Sequence, residues 1–140
     1  MILSNKYLQI LISFISLFCG GLIYVLFRSE QLIMFQWFDT LGISSYIQNC
    51  RIYVANCQMP YIVKYCLPNA LWIISYLFLI DCIINKHNFF WLLFLPTIAI
   101  ISEFLQLFMI IPGFFDYLDL LCLLFPTILF LTLKCIHYEK

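Results

Sequence analysis

Three carboxylates and one amide sit where the surrounding sequence makes charge expensive. Glu103 and Gln106 lie three residues apart inside an apolar run, and Asp116 and Asp119 repeat that spacing at the start of the next run. Such spacing puts both members of a pair on one helix face. An ionisable side chain in hydrocarbon costs about 3 kcal/mol even on insertion scales, so it takes a partner or a task. The chain has seven acidic residues and three of them fall between 99 and 119, which makes this stretch the place to look for chemistry. Paired carboxylates can divide acid and base roles when their surroundings differ, or they can line a pocket for a headgroup or a proton.

A turn at Pro112-Gly113 folds the two runs into a hairpin. Pairing across it brings Gln106 level with Asp119, in reach of a hydrogen bond, and Glu103 level with Cys122, one turn deeper. Asp116 and Asp119 also fall where the unpaired N–H groups of a helix N-terminus favour negative charge, so capping is a role open to Asp116. Two roles are open to Glu103: a protonated acid bonded to a neighbouring helix, or the polar wall of a pocket. Its candidate counter-ions are Arg28, Arg51 and Lys64, on the same side as the turn. Upstream, Pro68 can occupy a first helical turn, and Asn69, Trp72 and Tyr76 then share a face. Asn69 falls at the same surface as the acidic turn and completes a polar cluster with Arg28. Asp81, at the other end of that helix, reads as an interfacial partner of Lys86.

The elements that position these residues are membrane helices. The chain is 65% hydrophobic and 10% charged, against about 25% charged in a soluble domain, and one core of this size cannot hide so much apolar surface. A bilayer core of about 30 Å needs about 20 helical residues, and four runs qualify: about 7–27, 66–85, 89–110 and 116–134. The first is too long for a signal core and lacks a small-x-small cleavage site, so it reads as a retained span with Gly20-Gly21 at a close-packing or bend position. The expected fold is an all-α integral membrane protein, one polytopic domain over 1–140, with about four helices in an antiparallel bundle. Residues 29–65 are too polar to span and too apolar to float. They read as an amphipathic interfacial segment, broken at Gly42 and Pro60.

Four spans put both termini on one side with the 86–88 turn. That side carries Lys6, Lys86, Lys134 and Lys140, against Arg28, Arg51 and Lys64 opposite, so the termini are expected in the cytoplasm. Seven cysteines show no metal-ligand spacing, and His87 and His137 are isolated, so neither metal nor cofactor is expected. Cys50 and Cys57 could pair on an oxidising side or remain free thiols. Zero net charge without a basic cluster gives no reason to expect nucleic acid as a partner.

Ser102-Glu-Phe-Leu-Gln106, Pro112-Gly113 and Phe115-Asp116-Tyr-Leu-Asp119 together resemble the VanZ-like family of small bacterial membrane proteins. That family shows a Glu-x-x-Gln element in one helix and, about ten residues on, a Gly-Arg-x-Phe-Asp-x-x-Asp-like element. Glu103, Gln106, Gly113, Asp116 and Asp119 match it, and Tyr24 to Ser29 is similar to the end of the family's first helix. The arginine usual after the glycine is Phe114 here, and the Asn and Gly usual further along are Leu123 and Pro126. The resemblance implies a multi-pass protein of the bacterial cytoplasmic (inner) membrane connected with glycopeptide resistance or envelope homeostasis.

Three functions follow from these residues. The first is a non-catalytic accessory protein that binds a membrane lipid or lipid-linked cell-envelope precursor through Glu103, Gln106, Asp116, Asp119, Arg28 and Asn69. The second is a small subunit that recruits a larger membrane partner, or a second copy of itself, through aromatic faces. The third is a membrane enzyme acting on a lipid with paired carboxylates, although the sequence offers no nucleophile or phosphate-binding arginine cluster.

Overall fold

A computed structural model describes residues 5–30, 33–84 and 89–138, and the described residues form helices without strands. In chain order these are α1 (Lys6–Phe27), α2 (Ile33–Thr40), α3 (Ser44–Val54), α4 (Leu67–Ile83), α5 (Phe89–Leu107) and α6 (Tyr117–Tyr138). A π-helical turn, Ile62–Cys66, runs directly into α4. Four helical stretches, Lys6–Phe27, Ile62–Ile83, Phe89–Leu107 and Tyr117–Ile136, are long and apolar enough to cross a membrane.

α1 is built inside out. Its buried residues are Gln9, Ser13, Ser16 and Gly20, while Leu11, Phe14, Ile15 and Phe18 face outward. A helix on a soluble protein turns its apolar stripe inward. In lipid the outside is already apolar, and close approach and hydrogen bonding become what helices offer one another. Length, hydropathy and this inverted burial describe an all-helical, multi-pass membrane protein.

The small and polar stripe fixes how α1 meets α4. The Gln9 amide donates to Asp81 at 2.8 Å. Ser13 Oγ donates to the Ser75 carbonyl at 2.9 Å. A Cβ on Gly20 would lie 2.8 Å from Trp72 Cδ1, so only glycine allows that approach. As the numbers rise on α1 they fall on α4, so these two helices run in opposite directions. Gly21 faces open space, so of the two neighbouring glycines only Gly20 is a packing position.

α4 is central. It packs on α1, α5 and α6, and Ile73, Leu77, Leu92, Leu123 and Phe130 form the core between α4, α5 and α6. Phe78 meets Phe130 edge-on with centroids 5.1 Å apart. Asp81 pairs with Lys134 on α6 at 2.5 Å, both side chains nearly inaccessible. The expected neighbour of Asp81, Lys86, lies outside the described residues, as does the 85–88 connection. Asp81 is therefore a buried ion-pair partner rather than a surface one.

Two helix boundaries differ from the sequence reading. The second span begins at Ile62 because the π-turn carries the helix through Pro68, whose missing N–H it accommodates. The third span ends at Leu107 rather than near 110. There the Ile110 N–H bonds to the Leu105 carbonyl and the Met109 N–H to that of Gln106, a Schellman turn with Met109 at φ 56°. The same pair of bonds closes α2, with Gly42 at φ 70° in the corresponding position.

α2 and α3 are short, and α3 has no buried residue. Arg51 ties α3 to the end of α1, donating to the carbonyls of Val25 at 2.6 Å and Arg28 at 2.8 Å and facing Glu30 at 3.3 Å. A cation there satisfies orphan carbonyls at the negative end of the helix dipole. All seven cysteines are free thiols, Cys50 and Cys57 included.

Candidate functional site

The π-turn, the start of α6 and the end of α5 converge where the acidic residues lie. Glu103 is 8% exposed, and its Oε2 has no hydrogen-bond partner. The backbone at Asp116, just before α6, lies near the same carboxylate. Glu103 lines a cavity of about 220 Å³ between α4 and α5. α4 contributes Asn69, Trp72 and Ile73, α5 contributes Leu95, Ala99 and Ser102, and α6 closes it with Leu123. A polar floor with apolar walls is the usual build of a small-ligand site.

Asp119 stands behind this cavity. Its Oδ1 is buried without a partner, while the Cys66 thiol and the Asn69 side chain are directed at its carboxylate. Arg28 supplies the nearest positive charge to it. The guanidinium of Arg28 lies against the rings of Tyr24 and Tyr65, at 5.3 and 5.1 Å from their centroids, and its Nε also lacks a partner. Tyr24 in turn stacks on Trp72 at 5.1 Å, linking the arginine to the cavity wall. Arg28, Asn69, Glu103 and Asp119 thus form one cluster drawn from four helices.

Asp116 has a different job. Its Oδ1 accepts from the Leu118 N–H at 2.9 Å, which caps α6. Its Oδ2 accepts from the Tyr61 hydroxyl at 2.6 Å, which fastens the residue before the π-turn to the start of α6. The tyrosine hydroxyl and then the Leu118 N–H hold the Asp116 carboxyl below its usual range. The same bond, followed by burial, pushes Tyr61 up to about 12.

Gln106 does not pair with Asp119. Its side chain packs over Gly113, where an added Cβ would come within 2.7 Å of Gln106 Cδ. The Schellman turn at Met109 ends α5 one residue after Gln106, and Glu103 lies near the Asp119 charge. Arg51 is committed to α1 and Glu30, and Lys64 lies over the Tyr65 ring at 5.1 Å. A larger cleft of about 790 Å³ opens near those two cations, between the end of α1, α3 and the 55–64 stretch, away from the carboxylates.

Sequence reasoning passed over Tyr61 and Cys66, which touch the two aspartates. A second span drawn from 66 leaves Tyr61 outside it and puts Cys66 at its first position, where a cysteine in an apolar run reads as a small filler. Among the described residues, no group of three or more His, Cys, Asp and Glu side chains could hold a metal ion. No family model, curated protein or solved structure matches the chain.

Proposed function

We propose that this protein is a non-catalytic accessory protein of the bacterial cytoplasmic membrane. It holds the polar head of a lipid, or of a lipid-linked cell-envelope precursor, in the cavity beside Glu103. The observation that carries this reading is the Glu103 carboxylate itself: nearly fully buried, lining a cavity, with one oxygen unpartnered. A buried unpaired carboxylate oxygen costs the full desolvation of that atom, a cost that a ligand with the right donor removes.

Other features agree with it. Glu103, Gln106, Gly113, Asp116 and Asp119 resemble the VanZ-like pattern, which connects the reading with glycopeptide resistance or envelope homeostasis. In the proposed arrangement the four spans form an antiparallel bundle with cytoplasmic termini, and α2 and α3 lie in the interface. The enzymatic alternative draws less support, because Asp116 is already committed to Tyr61 and to capping α6.

Native mass spectrometry of gently extracted protein, beside its Glu103→Gln variant, tests the reading. A specific lipid that leaves only the folded variant supports it. Identical lipid retention by both proteins removes it.

A second reading rests on the short helices. Trp37, Tyr46 and Tyr53 on α2 and α3 are 64%, 73% and 87% exposed, a set of aromatic anchors suited to a larger membrane partner. A stoichiometric protein partner lost on Trp37→Ala and Tyr53→Ala, and retained on Glu103→Gln, would favour it.

A further inference from the structure

The polar groups at the cavity between α4 and α5 differ in what they have left to offer. Glu103 Oε2 accepts nothing. The Ser102 hydroxyl donates to the Ala99 carbonyl at 2.7 Å, which spends its single hydrogen and leaves oxygen lone pairs. Asn69 lies beside Asp119, and its side-chain carbonyl is an acceptor. The Trp72 N–H is on the side of its ring against Gly20 of α1, where an added Cβ would lie 2.9 Å from Nε1. The lining therefore presents the open Glu103 oxygen and the Ser102 lone pairs as acceptors, with the one Ser102 hydrogen already engaged.

Charge points the same way. Glu103 and Asp119 are neighbours, and Arg28 is the positive charge set against Asp119. An anionic headgroup entering here would find acceptors and like charge. A neutral hydroxyl would satisfy one acceptor and leave the charge alone. A protonated primary amine supplies three N–H donors and one positive charge.

Resting on the lipid-binding reading above, we infer that the group this cavity takes is a primary ammonium, carried by the headgroup of an aminolipid. Glu103 Oε2, Asn69 Oδ1 and Ser102 Oγ are the three acceptors, and Trp72, Ile73 and Leu123 line the space around them. Glu103 lies four residues before the end of α5, about 6 Å along the helix axis, a depth that a headgroup folded inward reaches from the interface. The phosphate stays outside, where the cavity has no say in it.

The test is competition binding on the full chain in detergent micelles, read by native mass spectrometry. The probes are short-chain phosphatidylethanolamine, phosphatidylcholine, phosphatidylglycerol, a polyprenyl phosphate and dodecylamine. The expected result is retention of phosphatidylethanolamine, weakened about tenfold or more by Glu103→Gln, the scale of one lost charged hydrogen bond. Phosphatidylcholine, a cation without N–H donors, and phosphatidylglycerol are expected to be washed away. Dodecylamine displacing phosphatidylethanolamine supports the ammonium as the recognised group. Dodecylamine retained without phosphatidylethanolamine keeps the ammonium and replaces the aminolipid with a phosphate-free amine. Glu103-dependent retention of phosphatidylglycerol or polyprenyl phosphate instead overturns the ammonium and leaves the pocket standing. Retention that no Glu103 change alters overturns both. Should Glu103→Gln misfold, Ala99→Leu, which fills the cavity and spares the carboxylate, reads the same loss.

Discussion

Lys134 of α6 and Asp81 of α4 form an ion pair at 2.5 Å, with side chains 3% and 5% exposed, and Gln9 of α1 donates to the same carboxylate. Three helices meet at one buried charge pair. α4 and α6 run the same way, because Cys66 meets Asp119 near their starts and Asp81 meets Lys134 near their ends. Such a pair does little as a pair but makes each partner costly to remove alone.

Lys134→Met is expected to destabilise the protein by about 3–5 kcal/mol, because it strands the Asp81 carboxylate. Adding Asp81→Asn recovers most of that loss, since asparagine still accepts from Gln9. A double-mutant cycle on thermal unfolding in micelles measures the coupling. Additive losses would mean that the pair is not formed.

Met109 holds a left-handed conformation in the Schellman turn that ends α5, and it is 91% exposed. Met109→Gly should stabilise the protein by about 1 kcal/mol, the strain of an L-residue there. Gly42→Met, in the equivalent turn after α2, should cost a similar amount. Opposite shifts in denaturation midpoint check both at once.

Gly20→Val is expected to cost about 1–3 kcal/mol or more by driving α1 off Trp72, whereas Gly21→Val faces open space and should be tolerated. Trp72 fluorescence should move with the first substitution and stay with the second.

The Tyr61–Asp116 bond limits stability at both ends of the pH scale. Asp116 titrates below its ordinary 3.8, so its contribution is present above that value and is lost as pH falls through the lowered one. Tyr61 titrates at about 12 instead of 10.0, so its contribution is present below 10.0 and is lost as pH rises toward 12. Tyrosinate absorbance should show one group titrating near 12 that disappears in Tyr61→Phe and returns toward 10.0 in Asp116→Asn. An unchanged titration in Asp116→Asn would contradict the contact.

What the sequence made legible was whatever lipid enforces. Four apolar runs are readable because their outer faces meet hydrocarbon. The gathering of Glu103, Asp119, Asn69 and Arg28 followed from placing one end of each span at one surface. Partner choice was less readable. On a symmetric hairpin Gln106 falls opposite Asp119, but a methionine in a glycine-like conformation ends α5 early, and Gln106 packs over Gly113 instead. Asp81 and Lys134 are 53 residues apart, and although four alternating spans make α4 and α6 parallel, no local pattern announces which of their side chains meet. The stripe of Gln9, Ser13 and Ser16 did have a signal, polar residues at helical spacing, that a search for apolar length alone overlooks.

That stripe also bears on how the protein is made. α1 leaves the ribosome before α4, and the Asp81 carboxylate that receives Gln9 follows it by 72 residues. At bacterial-to-eukaryotic rates of roughly 5–20 residues per second, the wait is on the order of 4–14 s. Through that interval Gln9 and Ser13 face lipid or the insertion machinery with their eventual partners on α4, Asp81 and Ser75, not yet synthesised. A change that delays α4 therefore acts on biogenesis, leaving α1 stranded, even where the finished protein would be as stable as before.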